Sequence, residues 1–512
     1  MASRVAQAGP EGVESFVVKA VAVAGSSVFG TETFAPIIEP LEGRTVTLTE
    51  LQGAADKITQ LYLNEGYLTS RAVLVRDSLG TETVTIQVLE GGLESIEIEG
   101  ARRLGTYVRS RIALGTGTPL NVGSLEDQLR LLRSDPLIEN VEASLRAGTG
   151  VGQSVLVVRV DEANPLAASI GADNYSPPSV GGERLLVNLA YRNLTGLGDE
   201  VFVSYRPRFA DFVGTYTVEA GYEVPINPKN GTLAFRATID RNEVISGQFE
   251  ALEISGESEL YEFTYRQPLI RSFREELALS WGFSYRTGQT FTLFGPTPFG
   301  FGPDEDGVSE TSVFRFAQEY VRRDRAGAWA LRSQFRLGTD ILGATDNADP
   351  IPDSEFFAWL GQLQRVQVIN DDNFLIIQLD MQFTPDALLP SEQFAIGGGQ
   401  SVRGYRQNVL SGDNGVRFSV EDRITVLRNE AGNATIQLAP FLDVGGVFNS
   451  NNNPNTIVLD QRAIVALGLG LLLQPVEGLN IRLDYAPPLV DLNIEDDNIQ
   501  DSGFYFSTTY SF

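Results

Sequence analysis

The chain has 512 residues with 66 acidic and 39 basic side chains, a formal charge of −27, and neither cysteine nor histidine. Those absences exclude thiol nucleophiles, disulfides, His/Cys zinc sites and Ser-His-Asp triads, so any catalysis would fall to carboxylates, Lys, Tyr or hydroxyls. The acidic balance also argues against nucleic acid as a partner.

The length predicts two or more domains, and 42% hydrophobic residues suffice for a core, with 51 Gly and abundant Thr, Tyr and Phe leaning towards β-structure. Residues 1–14 form an N-terminal extension without the basic start and apolar stretch of a signal peptide, which leaves a cytoplasmic protein or a mature form with its signal removed. No run reaches the roughly 18 to 20 apolar residues of a membrane helix, and the most apolar, Ala463 to Leu473, stops at Gln474.

A first small α+β domain is expected over 15–91. Phe16 to Val23 reads as a strand, and Leu51, Ala55, Ile58 and Leu61 recur at helical spacing, with Thr49 as N-cap and Gly66 as the stop. Arg71 to Val75 and Thr83 to Leu89 read as a hairpin. A second pass over 92–163 places a strand at Ile96 and Ile98, helices over Thr106 to Leu114 and Ser124 to Arg133, then strands at Val141 to Leu145 and Ser154 to Val160. The period of about 75 to 80 residues is longer than that of common solenoids, so two compact modules in tandem are expected.

From 165 to 512 the helical period gives way to alternation. Leu185, Val187, Leu189 and Tyr191 oppose Arg184, Asn188 and Arg192; Leu277, Leu279, Trp281, Phe283 and Tyr285 oppose Ser280, Ser284 and Arg286; Leu479, Ile481, Leu483 and Tyr485 oppose Asn480, Arg482 and Asp484. About 16 such runs of about 9 to 11 residues suit a tilted strand crossing a bilayer, and an even number suits a bacterial all-β, antiparallel transmembrane barrel. A soluble sandwich also alternates, but with strands of about 5 to 6 residues. Apolar faces would then meet membrane lipid, and charged ones such as Arg184, Glu262, Arg266, Glu421, Arg423, Arg482 and Asp484 would line a wet lumen. Phe504, Phe506, Tyr510 and Phe512 share a face of the last strand, a pattern resembling the one by which outer-membrane barrels are recognised for assembly, so the barrel assembly machinery is an expected partner.

The stretch Gly397 to Tyr405 is too glycine-rich for a strand and lies in a long connection, about 384–415, that is a functional-loop candidate. Neither a Lys nor a helix start follows the glycines, so a phosphate cradle is not supported and no cofactor is expected. The acidic clusters Asp304 to Asp306 and Glu495 to Asp497 lack calcium-loop spacing and read as solvated loops, so no metal is expected.

Val402, Arg403, Gly404 and Tyr405, followed by Phe441, Asp443 and Gly445, resemble the lid-loop and wall-strand motifs of the outer-membrane transporter superfamily that includes BamA. Two N-terminal modules, and Ser169 to Tyr175 with Gly181, Arg184 and Asn193 to Asp199, resemble the ShlB/FhaC/HecB family, the TpsB translocators of two-partner secretion. The resemblance implies two POTRA domains in the periplasm and a 16-stranded barrel in the bacterial outer membrane. It also implies a lid loop folded into the barrel with Arg403 paired to Asp443, and a secreted exoprotein as client. That family usually has an N-terminal plug helix, and about 14 residues precede the first strand here, so either the chain is trimmed or the plug is absent, and plug-dependent gating is not carried over.

A POTRA module offers a sheet edge and a helix-strand groove to an extended client. Candidate groove residues are Ile58 and Tyr62 on the first helix and Ala72, Val73, Leu74 and Val75 on the adjacent strand; the opposing reading makes the same apolar residues core. The alternative within the superfamily is a BamA-like insertase, which would normally carry more POTRA domains. A passive porin leaves the modules and paired motifs unexplained, and an enzyme has no nominated dyad.

Overall fold

The computed structural model describes residues 15–245, 250–455, 462–492 and 498–512. The N-terminal extension and the Glu495 to Asp497 cluster lie outside the described residues. The chain forms two compact units divided between Ala163 and Asn164.

The first module of the N-terminal unit comprises β1 (Ser15–Val18), β2 (Ala20–Ala24), α1 (Thr31–Ile38), β3 (Arg44–Thr47), α2 (Leu48–Asn64), β4 (Arg71–Leu74) and β5 (Thr83–Leu89). What reads as one strand over 16–23 is two, interrupted at Lys19, whose N–H donates to the Glu82 carbonyl at 2.9 Å. The helix α1 and strand β3 were not legible, because Pro36 and a β-branched run blur the helical period of α1. Thr47 rather than Thr49 caps α2: its side chain accepts from the Glu50 N–H at 3.3 Å, and Glu50 Oε2 accepts from the Thr47 N–H at 2.7 Å. Gly66 follows the helix at φ +87°, the left-handed position that favours glycine.

Leu51, Ala54, Ala55, Ile58 and Tyr62 form the buried stripe of α2 and pack with Phe34, Val46, Val84 and Ile86 in one apolar core. The sheet runs β2-β5-β4, leaving β4 at an edge.

The second module has β6 (Gly92–Glu99), α3 (Gly105–Ile112), α4 (Val122–Arg133), β7 (Ile138–Ala147) and β8 (Gln153–Glu162), in sheet order β6-β8-β7. Its core gathers Val108, Ile112, Leu125, Leu132, Leu156 and Val158. Glu162 Oε1 accepts the N–H groups of Arg102, Arg103 and Leu104 at 2.8, 2.8 and 2.9 Å, just ahead of α3. Burial alone would raise this carboxyl, but those N–H groups hold it below the usual carboxylate range.

The second unit begins with β9 (Leu166–Asp173), β10 (Arg184–Arg192), β11 (Glu200–Pro207), β12 (Tyr216–Pro225), β13 (Thr232–Glu243), β14 (Ser255–Arg271) and β15 (Glu275–Thr292). After the two-residue β16 (Gly295–Pro296) come β17 (Val308–Asp324), β18 (Gly327–Thr339), β19 (Phe357–Asn370) and β20 (Asn373–Phe383). The short β21 (Phe394–Ile396) and β22 (Leu410–Gly412) pair with each other. The wall then continues with β23 (Asn414–Arg428), β24 (Ala434–Phe448), β25 (Ala463–Leu473), β26 (Leu479–Tyr485) and β27 (Phe504–Ser511).

Among the described residues, sixteen antiparallel strands close into a barrel, because β15 pairs directly with β17 past β16, and β27 pairs with β9 from Ser507↔Asp173 to Ser511↔Ser169. The strands are less uniform than the sequence suggests, from 7 residues in β26 to 18 in β15. At about 3.3 Å per residue and a tilt of about 45°, the longest exceed an apolar band of about 25 Å and project beyond it.

The near end, where residue 164 begins the unit, carries the short turns such as 272–274 and 371–372, and the far end carries long connections including 384–413. Alternation decides the faces. Trp281, Phe316 and Phe335 point out and stay exposed, whereas Ser280, Ala317 and Gln334 point in and are buried. Among the described residues, no helix is long and apolar enough to cross a membrane.

Candidate functional site: a loop anchored inside the barrel

Residues 384–413 fold into the lumen. Val402 and Tyr405 pack with Ile396, Phe441, Ile464, Ala466 and Ala486 in an apolar cluster against β24 and β25. Gly404 sits at φ +91°, and a Cβ there would lie 2.7 Å from the Ala486 carbonyl oxygen, so both the turn and the close approach demand glycine. Gly445 is bare for a similar reason: a Cβ would meet Val402 Cγ2 at 2.8 Å.

The structure brings Arg403 to Asp443. The guanidinium donates from Nε to Oδ2 at 2.7 Å and from NH2 to Oδ1 at 2.9 Å, and the Arg403 N–H also reaches Oδ2 at 3.2 Å. Arg403 NH1 donates to Glu421 Oε2 at 2.7 Å, and its guanidinium carbon lies 3.2 Å from the centroid of the Phe441 ring. Ser419, directly opposite Asp443 in the β23–β24 register, adds a 2.6 Å hydrogen bond from its hydroxyl.

The pair is part of a larger set. Glu421 also accepts from Arg482 NH2 at 2.6 Å and Arg423 Nε at 2.8 Å, and Arg482 is bidentate to Asp484 at 2.6 and 2.9 Å. Arg403, Arg423 and Arg482 therefore face Glu421, Asp443 and Asp484, three cations against three anions. The sequence predicts charges kept in a wet lumen, but the central pair is buried in protein: Arg403 is 5% exposed and Asp443 0%. Pairing inside the protein replaces hydration as the compensation for burial. A polar cavity of about 320 Å³ borders the set, lined in part by Tyr175, Gln364, Gln378, Gln400 and Arg417.

Beyond Arg403, the Tyr405 hydroxyl donates to the Val465 carbonyl at 2.7 Å and accepts from the Val490 N–H at 3.0 Å, while the Tyr505 hydroxyl donates to the Tyr405 carbonyl. Arg406 NH2 pairs with Asp501 Oδ2 at 2.7 Å. The sequence placed Glu421, Arg423, Arg482 and Asp484 on inward faces without joining them to the loop. Their common level across β23, β24 and β26 was the available signal. For Arg406 with Asp501, and for Ser419 and Tyr505, no motif or spacing pointed to the partner.

The groove nominated in the N-terminal unit does not form as expected. Ile58 and Tyr62 are completely buried and Ala72 nearly so, because α2 turns that stripe into the core. Burial pushes the Tyr62 hydroxyl up to about 12 while it bonds Ser26 and Glu90. Val73, Leu74 and Val75 are half-buried, and the Ala72 N–H on the open side of β4 is taken by Thr59 Oγ1 at 2.9 Å. The open edge of the second module is longer. Among the described residues β7 pairs only with β8, and most of its ten residues are exposed.

The model of the haemolysin secretion/activation protein ShlB/FhaC/HecB matches residues 152–473, and that of the ShlB-type POTRA domain matches 16–91. Among curated proteins, the outer membrane transporter CdiB of Dickeya dadantii is 25% identical over 81% of this chain and 73% of its own length. The heme/hemopexin transporter protein HuxB of Haemophilus influenzae is 23% identical over 94% of this chain and 84% of its own. Among solved structures, CdiB from Escherichia coli superposes with a TM-score of 0.77 at 22% identity, covering 100% of this chain and 93% of that one. BamA from Haemophilus ducreyi, lacking POTRA domains 1-3, gives 0.56 at 14% identity over 96% and 99%, a likeness of fold. With an ion-paired loop inside a 16-stranded barrel and a family match across most of its length, this chain belongs to the ShlB/FhaC/HecB family of outer-membrane secretion proteins.

Proposed function

We propose that the protein captures an unfolded exoprotein with its N-terminal modules on the periplasmic side and passes it through the barrel to the cell surface. The observation that carries this reading is the loop bearing Arg403, which fills the lumen while its anchors are side chains rather than strands of the wall. Such a loop can leave without opening the barrel's backbone ladder. The lumen is a passage and the loop its lid.

Capture falls to the β7 edge. With hydrogen-bonded pairing fixed by the Gly148 N–H to the Gln153 carbonyl, the backbone groups of Ala143, Leu145 and Ala147 point away from β8, towards the open side. An extended client adds there through backbone bonds with little demand on its sequence. Glu139, Glu142 and Arg146 on this edge discourage pairing with a second copy. Transport rather than catalysis is the activity, membrane lipid surrounds the exposed aromatic and aliphatic faces, and the barrel assembly machinery recognises β27.

The test is planar-bilayer conductance of the purified protein against a deletion of residues 397–405. Small, brief currents that become large and steady on deletion are expected. Large steady currents from both proteins would mean an open porin and would sink the lid.

A further inference from the structure

We propose that Glu392 is a second, electrostatic latch of the lid, set on β17 and β18 apart from the strands that hold Arg403, and that its release frees the first limb of the loop. This rests on the lid reading above. The Arg403 set fixes only the second limb of the loop, on β23, β24 and β26. The first limb, 384–393, is fixed elsewhere. Leu388 packs with Val313, Phe356 and Ala358, inward residues of β17 and the β19 region. Glu392 is 6% exposed and accepts from the Thr311 hydroxyl at 3.0 Å, while its other oxygen pairs with Arg336 of β18.

The wall at this point needs an anion. Arg315 of β17 and Arg336 of β18 are directly opposite in register on the lumen face, an arrangement in which like charges repel. Arg315 is relieved from the wall itself, by Glu262 of β14 at 2.5 Å. Among the described residues Arg336 has no ion pair with the wall: its partner is Glu392, a residue of the loop. With the limb docked Glu392 answers Arg336, and with the limb withdrawn the facing guanidinium groups of Arg315 and Arg336, with Arg286 also near, lose that carboxylate and keep Glu262. The same withdrawal strips the buried Thr311 hydroxyl of its acceptor. The loop is therefore held on two separate stretches of the wall, with one balanced set of charges at Arg403 and one pair completed by the loop at Glu392. The second set is smaller, a single pair against six charges, and releases first.

The experiment compares single-channel currents of wild type, Glu392→Gln, Arg336→Gln, the charge-reversed pair Glu392→Arg with Arg336→Glu, and the 397–405 deletion. Heat-modifiable gel mobility of each confirms a closed barrel. The expected result is longer and severalfold larger openings in both single variants, return to brief wild-type openings in the reversed pair, and the largest currents in the deletion. A structural lesion would not be rescued by reversal. Wild-type currents in Glu392→Gln alongside a conducting deletion would overturn the latch and spare the lid. Open single variants without rescue would overturn the charge pairing. An unchanged deletion would remove the lid and the latch with it. Should Glu392→Gln fail to assemble, Thr311→Val, which removes only the hydrogen bond, is expected to lengthen openings, and unchanged openings would overturn the latch.

Discussion

The Arg403 guanidinium carbon lies over the ring of Phe441, 3.2 Å from its centroid, so the residue that carries the loop touches two neighbours on one face of β24, the aromatic ring and the carboxylate of Asp443. The ring fits because Gly468, opposite it on β25, has no Cβ to meet Phe441 Cζ. The guanidinium is thus clamped by geometry as well as charge.

Removing one partner of this buried pair should cost about 3 to 5 kcal/mol, since it strands the other charge. Arg403→Ala and Asp443→Ala are therefore expected to unseat the loop and enlarge bilayer currents, with the barrel still closed in heat-modifiability gels because its ladder is untouched. Arg403→Lys should behave like Arg403→Ala, because an ammonium cannot reproduce the fork to Asp443 together with the bond to Glu421. Normal currents in the lysine variant would mean that charge alone suffices.

Ala143→Pro should block capture without harming the fold. Its N–H points to the open side of β7, so proline removes no ladder bond, and edge strands accept proline. Export of the exoprotein is expected to fall while the melting temperature stays within a degree or two. Ile58→Asp should do the reverse, unfolding the first module by burying a charge at a fully enclosed site.

The Glu162 carboxylate should make the N-terminal unit acid-sensitive. Its ionisation lies below the ordinary value in the folded state, so the stabilisation is present above the unfolded value of about 4.3 and is lost as pH falls through the folded one. Glu162→Gln is expected to lose about 1 kcal/mol near neutrality, the size of a helix cap. In chemical denaturation of the full chain, the gap between wild type and variant should close in acid. No gap at neutral pH would mean that the carbonyl oxygen of the glutamine serves equally well, and a gap independent of pH would mean that the charge of Glu162 is not its source.

Lysines occur only at Lys19, Lys57 and Lys229. The first two are in the N-terminal unit, and Lys229 is in the turn between β12 and β13 at the near end of the barrel. An impermeant amine reagent should therefore leave the chain unlabelled on intact cells and label it after the outer membrane is permeabilised. Labelling of Lys229 on intact cells would invert the orientation.

The barrel was legible because strand alternation is a local property: Trp281 against Ser280, or Leu483 against Arg482, shows its face two residues at a time. The Arg403 and Asp443 motifs were legible through resemblance, since their spacing alone says nothing about contact. Helical periodicity found the stripe of Leu51, Ala55 and Ile58 but could not say whether core or client covers Ile58 and Tyr62. The N-cap was misplaced by two residues because β3 runs straight into α2, with no loop to mark the start. Glu392 and Arg336 are 56 positions apart and Arg406 and Asp501 are 95 apart, and pairing at such separation is set by where a long loop comes to rest.

The three guanidinium groups and three carboxylates around Arg403 cancel. Withdrawal of the loop would take Arg403 with it and leave Arg423 and Arg482 against Glu421, Asp443 and Asp484, so a polypeptide threading past would meet one unanswered carboxylate, which favours basic stretches over acidic ones.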